Sequence, residues 1–433
     1  MREAVLLRAQ LFDVPASPFA TPGALRAIAD GAVLVDGDRI AASGEYAGVR
    51  AAAPAAPVVD LRPAVLLPGF VDTHVHYPQV RVLGGLGMRL LDWLEAHALP
   101  EEARLADPAH ARAVAREFLA GLVRNGTTAA LVFGAHFESA QEILFAEADR
   151  LGLTIASGLV LSDRNLRPEL HRPPAAAHAA SVALLRRWHR RGRLRYAITP
   201  RFAVSASEAM LDVAGALLRE APDLLVQTHL NETPDEVAAV RRLFPGAPDY
   251  LTVYERHGLA GPRAVFAHNV HPTDGELERL ASCGASVAHC PSSNAFLGSG
   301  LFPFRRHRVR GVRVALGSDV GGGTGFGLLR EGLMAHCCQM LRPDGEPLGA
   351  GHLLYLATRA GAEALGLAGE VGDLLAGKRA DLVVVRPPAG GTLATVLAHA
   401  ASAEAALGAV ITLAGEADIG EVYVGGRRAV PPG

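Results

Sequence analysis

The chain has 433 residues, of which 50% are hydrophobic and 20% are charged, and its formal net charge is -2 at pH 7. This length and hydrophobicity allow a large buried core, whereas the near-neutral charge leaves no basic footprint for nucleic acid. The apolar stretches are too short to span a membrane, and the first residues carry too brief an apolar run for a signal peptide. With four cysteines and no C-x-x-C pair, we expect a soluble, cytoplasmic protein with reduced thiols.

Both ends of the chain, residues 1–63 and 372–433, are predicted to form short strands and turns. The clearest strand patterns lie at residues 33–44, 380–385 and 419–426. Neither end holds enough strands for a stable domain alone. We therefore predict that the two ends pair into one small β-sandwich beside a larger domain formed by residues 64–371.

Eight short runs rich in Val, Leu and Ala recur along that larger domain, separated by segments long enough for a helix each. The runs are residues 64–72, 127–133, 153–160, 196–200, 224–229, 264–268, 285–289 and 312–319. Runs of this kind are typical of strands that are buried on both faces. Eight such strands alternating with helices predict an α/β fold in which a parallel sheet closes as a (β/α)8 TIM-type barrel.

Five of the eight runs lead into a histidine or an aspartate. The first leads into His74 and His76, and the others end on His229, His268, His289 and Asp319. Because side chains alternate along a strand, His74 and His76 point the same way. The chemistry of such barrels lies at the carboxyl ends of the strands, and paired imidazoles form one edge of a metal site. The pattern favours a metal site built from several strand ends.

Five stretches of the sequence carry a family resemblance. They are residues 68–79, 199–202, 227–232, 289–294 and 316–324. Through them the chain resembles the metal-dependent amidohydrolase superfamily and, within it, the guanine deaminases. The histidine and aspartate pattern is shared by many members of the superfamily. The His-Tyr-Pro-Gln stretch ending at Gln79 and the Pro-Arg-Phe stretch ending at Phe202 narrow the resemblance to guanine deaminases.

The resemblance implies a role for each of these residues. The implied metal ligands are His74, His76, His229 and Asp319, a donor set that suits one Zn²⁺ and that Fe²⁺ would also accept. The implied catalytic residues are Glu232, His268 and Asp319, which move protons near a metal-activated water. The implied substrate contacts are His76, Gln79, Arg201, Phe202, His229 and Glu232. For His289 we expect a wall or hydrogen-bonding role in preference to metal ligation.

Two further patterns limit the chemistry. The only lysine is Lys378, in a turn outside the predicted barrel, whereas superfamily members with two metals bridge them with a modified lysine on a barrel strand. We therefore expect a single metal. Residues 321–325 are rich in glycine, but their spacing fits neither phosphate-binding motif. They predict a tight loop beside Asp319.

The implied reaction is hydrolytic deamination of guanine to xanthine and ammonia, a step of purine catabolism, by a homodimer. One alternative is a sister enzyme that deaminates a pterin, 8-oxoguanine or a triazine. Another is an inactive binding barrel, which the presence of every implied ligand disfavours. The chain departs from the family at residues 95–100, where Glu-Ala-His-Ala-Leu-Pro replaces an aromatic-Thr-Phe before the proline. The sequence therefore does not predict how this lid segment contacts the substrate.

Overall fold

The computed structural model describes residues 4–432, which form two β-sheets surrounded by helices. In chain order the strands are β1 (Val5–Asp13), β2 (Arg26–Asp36), β3 (Arg39–Glu45), β4 (Val58–Pro68), β5 (Phe70–His76), β6 (Thr127–Phe133), β7 (Thr154–Gly158), β8 (Val160–Leu161), β9 (Arg195–Pro200), β10 (Leu225–Leu230), β11 (Ala264–His268), β12 (Ser286–His289), β13 (Arg313–Leu316), β14 (Leu382–Val385), β15 (Ile419–Val424) and β16 (Arg427–Arg428).

The helices lie mainly between the strands of the second sheet. They are α1 (Tyr46–Ala52), α2 (Leu90–Trp93), α3 (Leu99–Arg104), α4 (Pro108–Arg124), α5 (Glu138–Leu151), α6 (Pro174–Trp188), α7 (Glu208–Glu220), α8 (Pro234–Leu243), α9 (Tyr250–Arg256), α10 (Asp274–Cys283), α11 (Pro291–Phe296), α12 (Phe304–Val309), α13 (Leu328–Met340), α14 (Ala350–Ala357), α15 (Arg359–Ala364), α16 (Thr392–Ala398) and α17 (Ala403–Leu413). None of the helices within residues 4–432 is long and apolar enough to cross a membrane.

The larger sheet is a parallel barrel. Its strands follow the order β5-β6-β7-β9-β10-β11-β12-β13, with β8 pairing to β9. The first and last strands meet, because Thr73 Oγ1 donates to the Leu316 carbonyl at 2.7 Å and the Asp319 amide donates to the His74 carbonyl at 2.8 Å. Each of the eight predicted runs overlaps one of these strands. The (β/α)8 prediction is confirmed.

The smaller sheet joins the two ends of the chain, as predicted. Its seven strands run in the order β16-β15-β14-β4-β1-β2-β3. They form one hydrogen-bonded sheet, in contrast to the two stacked sheets of a sandwich, and the pairing of β1 with both neighbours shifts register near Ala9. Side chains on one face, among them Leu7, Val33, Leu66 and Val384, pack into a separate apolar core. This sheet therefore has its own core beside the barrel.

The predicted run 64–72 is divided between the two sheets. Residues up to Pro68 belong to β4, which pairs with β1 and β14, and β5 of the barrel begins at Phe70. At Gly69, between them, a Cβ atom would lie 2.2 Å from Thr128 Oγ1 on β6. Only glycine therefore lets the chain pass this close to β6 as it changes sheets.

The C-terminal segment is not all sheet. Helices α16 and α17 follow β14, and Leu407 and Val410 of α17 join the same apolar core as Val75 and Leu131 of the barrel. This part of the chain therefore packs against the barrel as well as completing the smaller sheet.

Candidate active site

Four histidines and one aspartate meet at the carboxyl ends of the barrel strands. His74 and His76 lie on β5, His229 on β10 and His268 on β11, and Asp319 follows β13. The two β5 imidazoles approach with their Nε2 atoms 3.2 Å apart, and Asp319 Oδ1 lies 3.2 and 3.3 Å from them. Ring nitrogens of His74, His229 and His268 also lie within 4.8 Å of one another. The strand-end residues therefore converge on one point.

The protonation states of this cluster follow from its burial. Burial lowers the pKa of His74, and it lowers the pKa values of His76 and His229 well below 6.5, so the imidazoles are neutral. Burial opposes ionisation of Asp319, but its hydrogen bond to His74 and the neighbouring imidazoles hold its pKa well below 3.8. Neutral imidazoles and an ionised carboxylate are donors that catalytic Zn²⁺ sites use. The residues present therefore fit a divalent metal.

Hydrogen bonds orient two of the rings. His229 Nδ1 donates to the Arg201 carbonyl at 2.6 Å, and His268 Nδ1 lies 2.9 Å from Asn294 Oδ1. Because a carbonyl can only accept, the proton of His229 sits on Nδ1 and leaves the Nε2 lone pair free. The Phe133 ring packs at 4.7 Å from the His229 ring. Such contacts fix the ring orientation that a metal ligand requires.

The backbone is left-handed at three of the strand ends. The φ angles are 49° at Asn231, 68° at His268, 48° at Asn269 and 49° at Asp319, all non-glycine residues. Asn231 Nδ2 donates to Asn269 Oδ1 at 3.1 Å and to Glu276 Oε1 at 3.0 Å, which holds two of these turns together. Such conformations cost about 1–3 kcal/mol each and cluster at functional sites. Their concentration here points to a functional site.

Glu232 lies just past β10 and faces the cluster. Its Oε2 is 3.5 Å from His268 Nε2, and its Oε1 accepts from Ser299 Oγ at 3.2 Å. Burial, followed by the charge of Asp319, raises the pKa of Glu232 to about 8. Its backbone amide donates to Glu236, which caps α8. Glu232 is therefore a firmly held carboxyl group that is protonated at neutral pH.

A pocket opens above the cluster. It is lined by His76, Gln79, Leu90, Trp93, Leu94, Arg201, Phe202, His229, Glu232, His268, Leu297, Asp319 and Gly322. All six residues that the sequence assigned to substrate contact lie in this wall. The structure thus brings the expected ligand, proton-transfer and substrate-contact residues to one place.

The lid segment, which in the structure runs from Leu90 to Arg104 through α2, a π-helix and α3, also reaches the pocket. Leu90, Trp93 and Leu94 line its wall, and a π-helix over Leu94–Ala98 follows α2. Trp93 is buried with Leu90, Ala98 and Leu297 in a small apolar cluster. Aliphatic and tryptophan side chains therefore form this side of the pocket, a contact that the altered residues 95–100 left unpredicted.

One buried carboxylate was not predicted from the sequence. Glu102, on α3, accepts from Gln79 Nε2 at 2.7 Å, from Arg201 Nη1 at 2.7 Å and from His136 Nε2 at 3.0 Å. In the sequence it follows another glutamate, Glu101, and two adjacent charged residues are usually solvated. Ser299 likewise had no signal in the sequence.

His289 and Lys378 lie outside the cluster. The His289 ring stacks on Phe302 with centroids 4.2 Å apart, and within residues 4–432 neither ring nitrogen has a hydrogen-bond partner. His289 therefore packs against Phe302 and does not line the pocket, and its expected role stays a prediction. Lys378 Nζ pairs with Asp373 at 3.1 Å, outside the barrel strands.

The glycine-rich loop closes on Asp319, as the sequence predicted. The Gly323 amide donates to the Asp319 carbonyl at 2.5 Å. A Cβ atom at Gly322 would lie 3.1 Å from Asp319 Oδ2. The loop is therefore packed against the carboxylate that faces His74 and His76.

The fold and the strand-end cluster are those of a metal-binding (β/α)8 hydrolase. The amidohydrolase family matches residues 65–429, and an imidazolonepropionase-like composite domain of bacteria matches residues 31–56, within the smaller sheet and α1. The chain belongs to the amidohydrolase family.

Its relatives within that family are guanine deaminases. The chain is 59% identical over 427 residues to a probable guanine deaminase of Deinococcus radiodurans, covering 97% of both chains. It is 39% identical to the guanine deaminase of Escherichia coli over 95% of this chain and 93% of the relative. A solved structure of E. coli guanine deaminase matches with a TM-score of 0.94, 37% identity and full coverage of both chains.

A solved guanine deaminase from C. acetobutylicum, with guanine bound in its active site, matches with a TM-score of 0.91. It is 25% identical and covers 99% of this chain and 100% of its own. The resemblance inferred from the sequence is therefore confirmed.

Proposed function

We propose that this protein catalyses the hydrolytic deamination of guanine to xanthine and ammonia. The observation that carries the proposal is the convergence of the strand-end cluster, Glu232 and Arg201 on one pocket. The chain's 59% identity to a probable guanine deaminase supports the same substrate. Water replaces the 2-amino group of guanine, which leaves as ammonia.

The proposal includes one divalent metal per chain, Zn²⁺ or Fe²⁺. His74, His76, His229 and Asp319 would hold it, because their donor atoms converge and their protonation states suit a cation. When bound, such a metal lowers the pKa of its water toward neutrality. A single metal is supported by the position of Lys378, the only lysine, away from the cluster.

The chain's own residues would carry the proton transfers. Asp319 is ionised and can accept a proton, whereas Glu232 is protonated at neutral pH and can donate one. A proton given by Glu232 to the ring nitrogen beside C2 makes that carbon electrophilic. His268 Nε2 faces Glu232 Oε2 at 3.5 Å and Asp319 Oδ2 at 3.8 Å. His268 thus lies between Glu232, which can donate a proton, and Asp319, which can accept one.

The pocket wall would position the flat ring. Phe202 and Trp93 supply aromatic surface, and both are at most 5% exposed. Arg201 supplies N–H donors for a carbonyl oxygen of the substrate. The same walls exclude bulk water from the reacting carbon.

The resemblance carries further expectations about the whole protein. We propose a cytoplasmic homodimer that acts in purine catabolism and binds neither nucleic acid nor membrane. We also propose three segments, residues 1–63, 64–371 and 372–433. The passage of the chain from β4 to β5 supports moving the first boundary of the barrel to Gly69.

Ammonia release from a panel of ring substrates tests the proposal. The panel is guanine, adenine, 8-oxoguanine, a pterin and a triazine, with metal content measured on the same preparation. We expect kcat/KM for guanine to exceed that for adenine by roughly 10⁴-fold, because adenine leaves polar groups of the pocket unpaired. Equal turnover of adenine, or a preference for the pterin or triazine, would show that the substrate is wrong. Two metals per chain would contradict the single site.

A further inference from the structure

Glu102 joins the lid segment to three parts of the barrel rim. Its carboxylate is 2% exposed and accepts from Gln79 after β5, His136 after β6 and Arg201 after β9. Burial opposes the charge, but the Arg201 guanidinium and the His136 ring lower the pKa of Glu102, so it is ionised. Glu102 is therefore an acceptor for all three partners.

This carboxylate fixes the orientation of the Gln79 amide. An ionised carboxylate can only accept, so Gln79 must turn its NH₂ group toward Glu102. The amide oxygen then points away, toward Gly321, where a Cβ atom would lie 2.5 Å from it. Within residues 4–432 the Gln79 side chain takes part in one hydrogen bond, and there its Nε2 is the donor. Gln79 lines the pocket, and because Glu102 holds its NH₂ group, the group that it has left for a ligand is its oxygen, an acceptor.

The same carboxylate holds the Arg201 guanidinium. Arg201 Nη1 lies 2.7 and 2.8 Å from the two oxygens of Glu102, and the side chain is 4% exposed. Both Arg201 and Gln79 line the pocket. The pocket wall therefore contains the N–H donors of Arg201 and the oxygen acceptor of Gln79. Glu102, which does not itself line the pocket, holds both side chains.

We propose that Glu102 is a positioning residue that sets this pattern and selects a lactam edge, a ring carbonyl beside a ring N–H. In guanine this edge is O6 beside N1–H, which complements a donor from Arg201 and an acceptor from Gln79. The inference rests on the proposed function. Purines that keep the reacting 2-amino group but lack the lactam edge, such as 2-aminopurine, distinguish selection of the edge from catalysis.

The test replaces Glu102 by Gln and compares guanine with 2-aminopurine. The three partners of Glu102 all donate hydrogen bonds to it. An amide at position 102 would place its NH₂ group, a donor, against one of these donors, so the side chain of Gln79 or Arg201 must change its orientation. We expect kcat/KM for guanine to fall roughly 100-fold or more, mainly through KM. The kcat/KM for 2-aminopurine should change by less than about threefold, because the metal ligands and Glu232 are untouched. The ratio of kcat/KM for guanine to kcat/KM for 2-aminopurine should therefore fall by about the same factor as kcat/KM for guanine.

Glu101→Gln is the matched control, since it makes the same change one residue away. Glu101 pairs with Arg104 and His110, both at 2.8 Å, and lies outside the pocket lining. It should keep the wild-type preference. Glu102→Asp keeps the charge but shortens the side chain, and it should also lower the preference for guanine. It serves as the test if the Gln variant does not fold.

Two failures can be told apart. If the wild-type protein releases no ammonia from guanine, the proposed function is wrong. If it does, and a folded Glu102 variant with normal metal content keeps the wild-type preference for guanine over 2-aminopurine, then Glu102 only anchors α3 and the inference is overturned. An equal fall in kcat/KM for guanine and for 2-aminopurine would also overturn the inference.

Discussion

Asp319 and Glu232 occupy the same buried pocket in opposite protonation states. Neighbouring imidazoles keep the pKa of Asp319 well below its ordinary value, whereas burial raises the pKa of Glu232 to about 8. Two carboxyl groups whose environments push their pKa values apart are suited to act as a base and an acid. The difference between the two pKa values comes from the surroundings of each carboxyl group and not from the extra methylene of Glu.

Glu232→Gln should retain the metal and lose activity. The amide keeps the size and hydrogen-bonding capacity of a glutamate but cannot transfer a proton, so kcat for guanine should fall by roughly 10²–10⁴-fold. His74→Ala should instead lose metal and activity together. Measuring kcat and metal per chain on both variants separates the two roles.

Asp235→Asn is the control for the Glu232 variant, because Asp235 is exposed in the first turn of α8. It should behave as the wild type. Near-normal turnover of Glu232→Gln would assign the proton transfer to another group, for which His268 is the nearest candidate. Loss of metal in that variant would make Glu232 a ligand.

Among individual site residues, the sequence predicts those whose position on a strand or at a strand end determines where the side chain points. His74 and His76 are two apart on a strand, and Glu232 directly follows a strand end, so alternation and barrel topology place them. Glu102 and Ser299 come from the lid segment and from the loop after α11. Their approach to the pocket depends on the path of connecting segments, and no local pattern encodes that path. The orientation of the Gln79 amide depends on Glu102, so no local pattern in the sequence predicts it either.

Among the structural elements, the lid segment carries the least predictable part of the pocket. The chain between β5 and α4 contains a short 3₁₀ helix at Tyr77–Val82, α2, the π-helix and α3. Each piece is too short to give a periodic signal in the sequence. Eight buried strands, by contrast, repeat one pattern and could be predicted with their order. The exception was the run 64–72, where apolar residues of two sheets are continuous and only Gly69 marks the change.

The two tryptophans give a direct test of the lid contact. Trp93 lines the pocket, whereas Trp188 is buried on α6 and stacks on Phe145 at 5.6 Å. In Trp188→Phe, where Trp93 is the only tryptophan, adding the product xanthine should shift or quench the fluorescence. In Trp93→Phe, which retains Trp188, the signal should not respond to xanthine. A response in the second variant and not in the first would contradict the position of the lid segment.

At the scale of the whole molecule, buried carboxyl groups tie stability to pH. Glu331 on α13 is 1% exposed and accepts from the Ser292 amide at 3.0 Å, and burial raises its pKa from 4.5 to about 8. The folded protein therefore keeps a proton that the unfolded chain releases as the pH rises from 4.5 to 8. Stability from this group is present below pH 4.5 and is lost across that window.

Glu331→Gln should remove this part of the pH dependence. The amide keeps an acceptor for Ser292 and carries no titrating proton, so the Tm of the variant should fall less than that of the wild type between pH 5 and 8. The difference corresponds to on the order of a few kcal/mol. Glu404→Gln, an exposed site on α17, should follow the wild type. Identical Tm profiles for Glu331→Gln and the wild type would mean that Glu331 is ionised in the folded protein.

The position of β4 has a consequence for synthesis of the chain. In the finished protein β4 lies between β1 and β14, and β14 begins at Leu382, after the entire barrel. A nascent chain therefore exposes one edge of β4 until Leu382 has been added, on the order of tens of seconds at ordinary rates of translation. An unpaired strand edge is a template for pairing with other chains. β4, which leads into the strand that carries His74 and His76, thus gains its last partner only after the whole barrel has been synthesised.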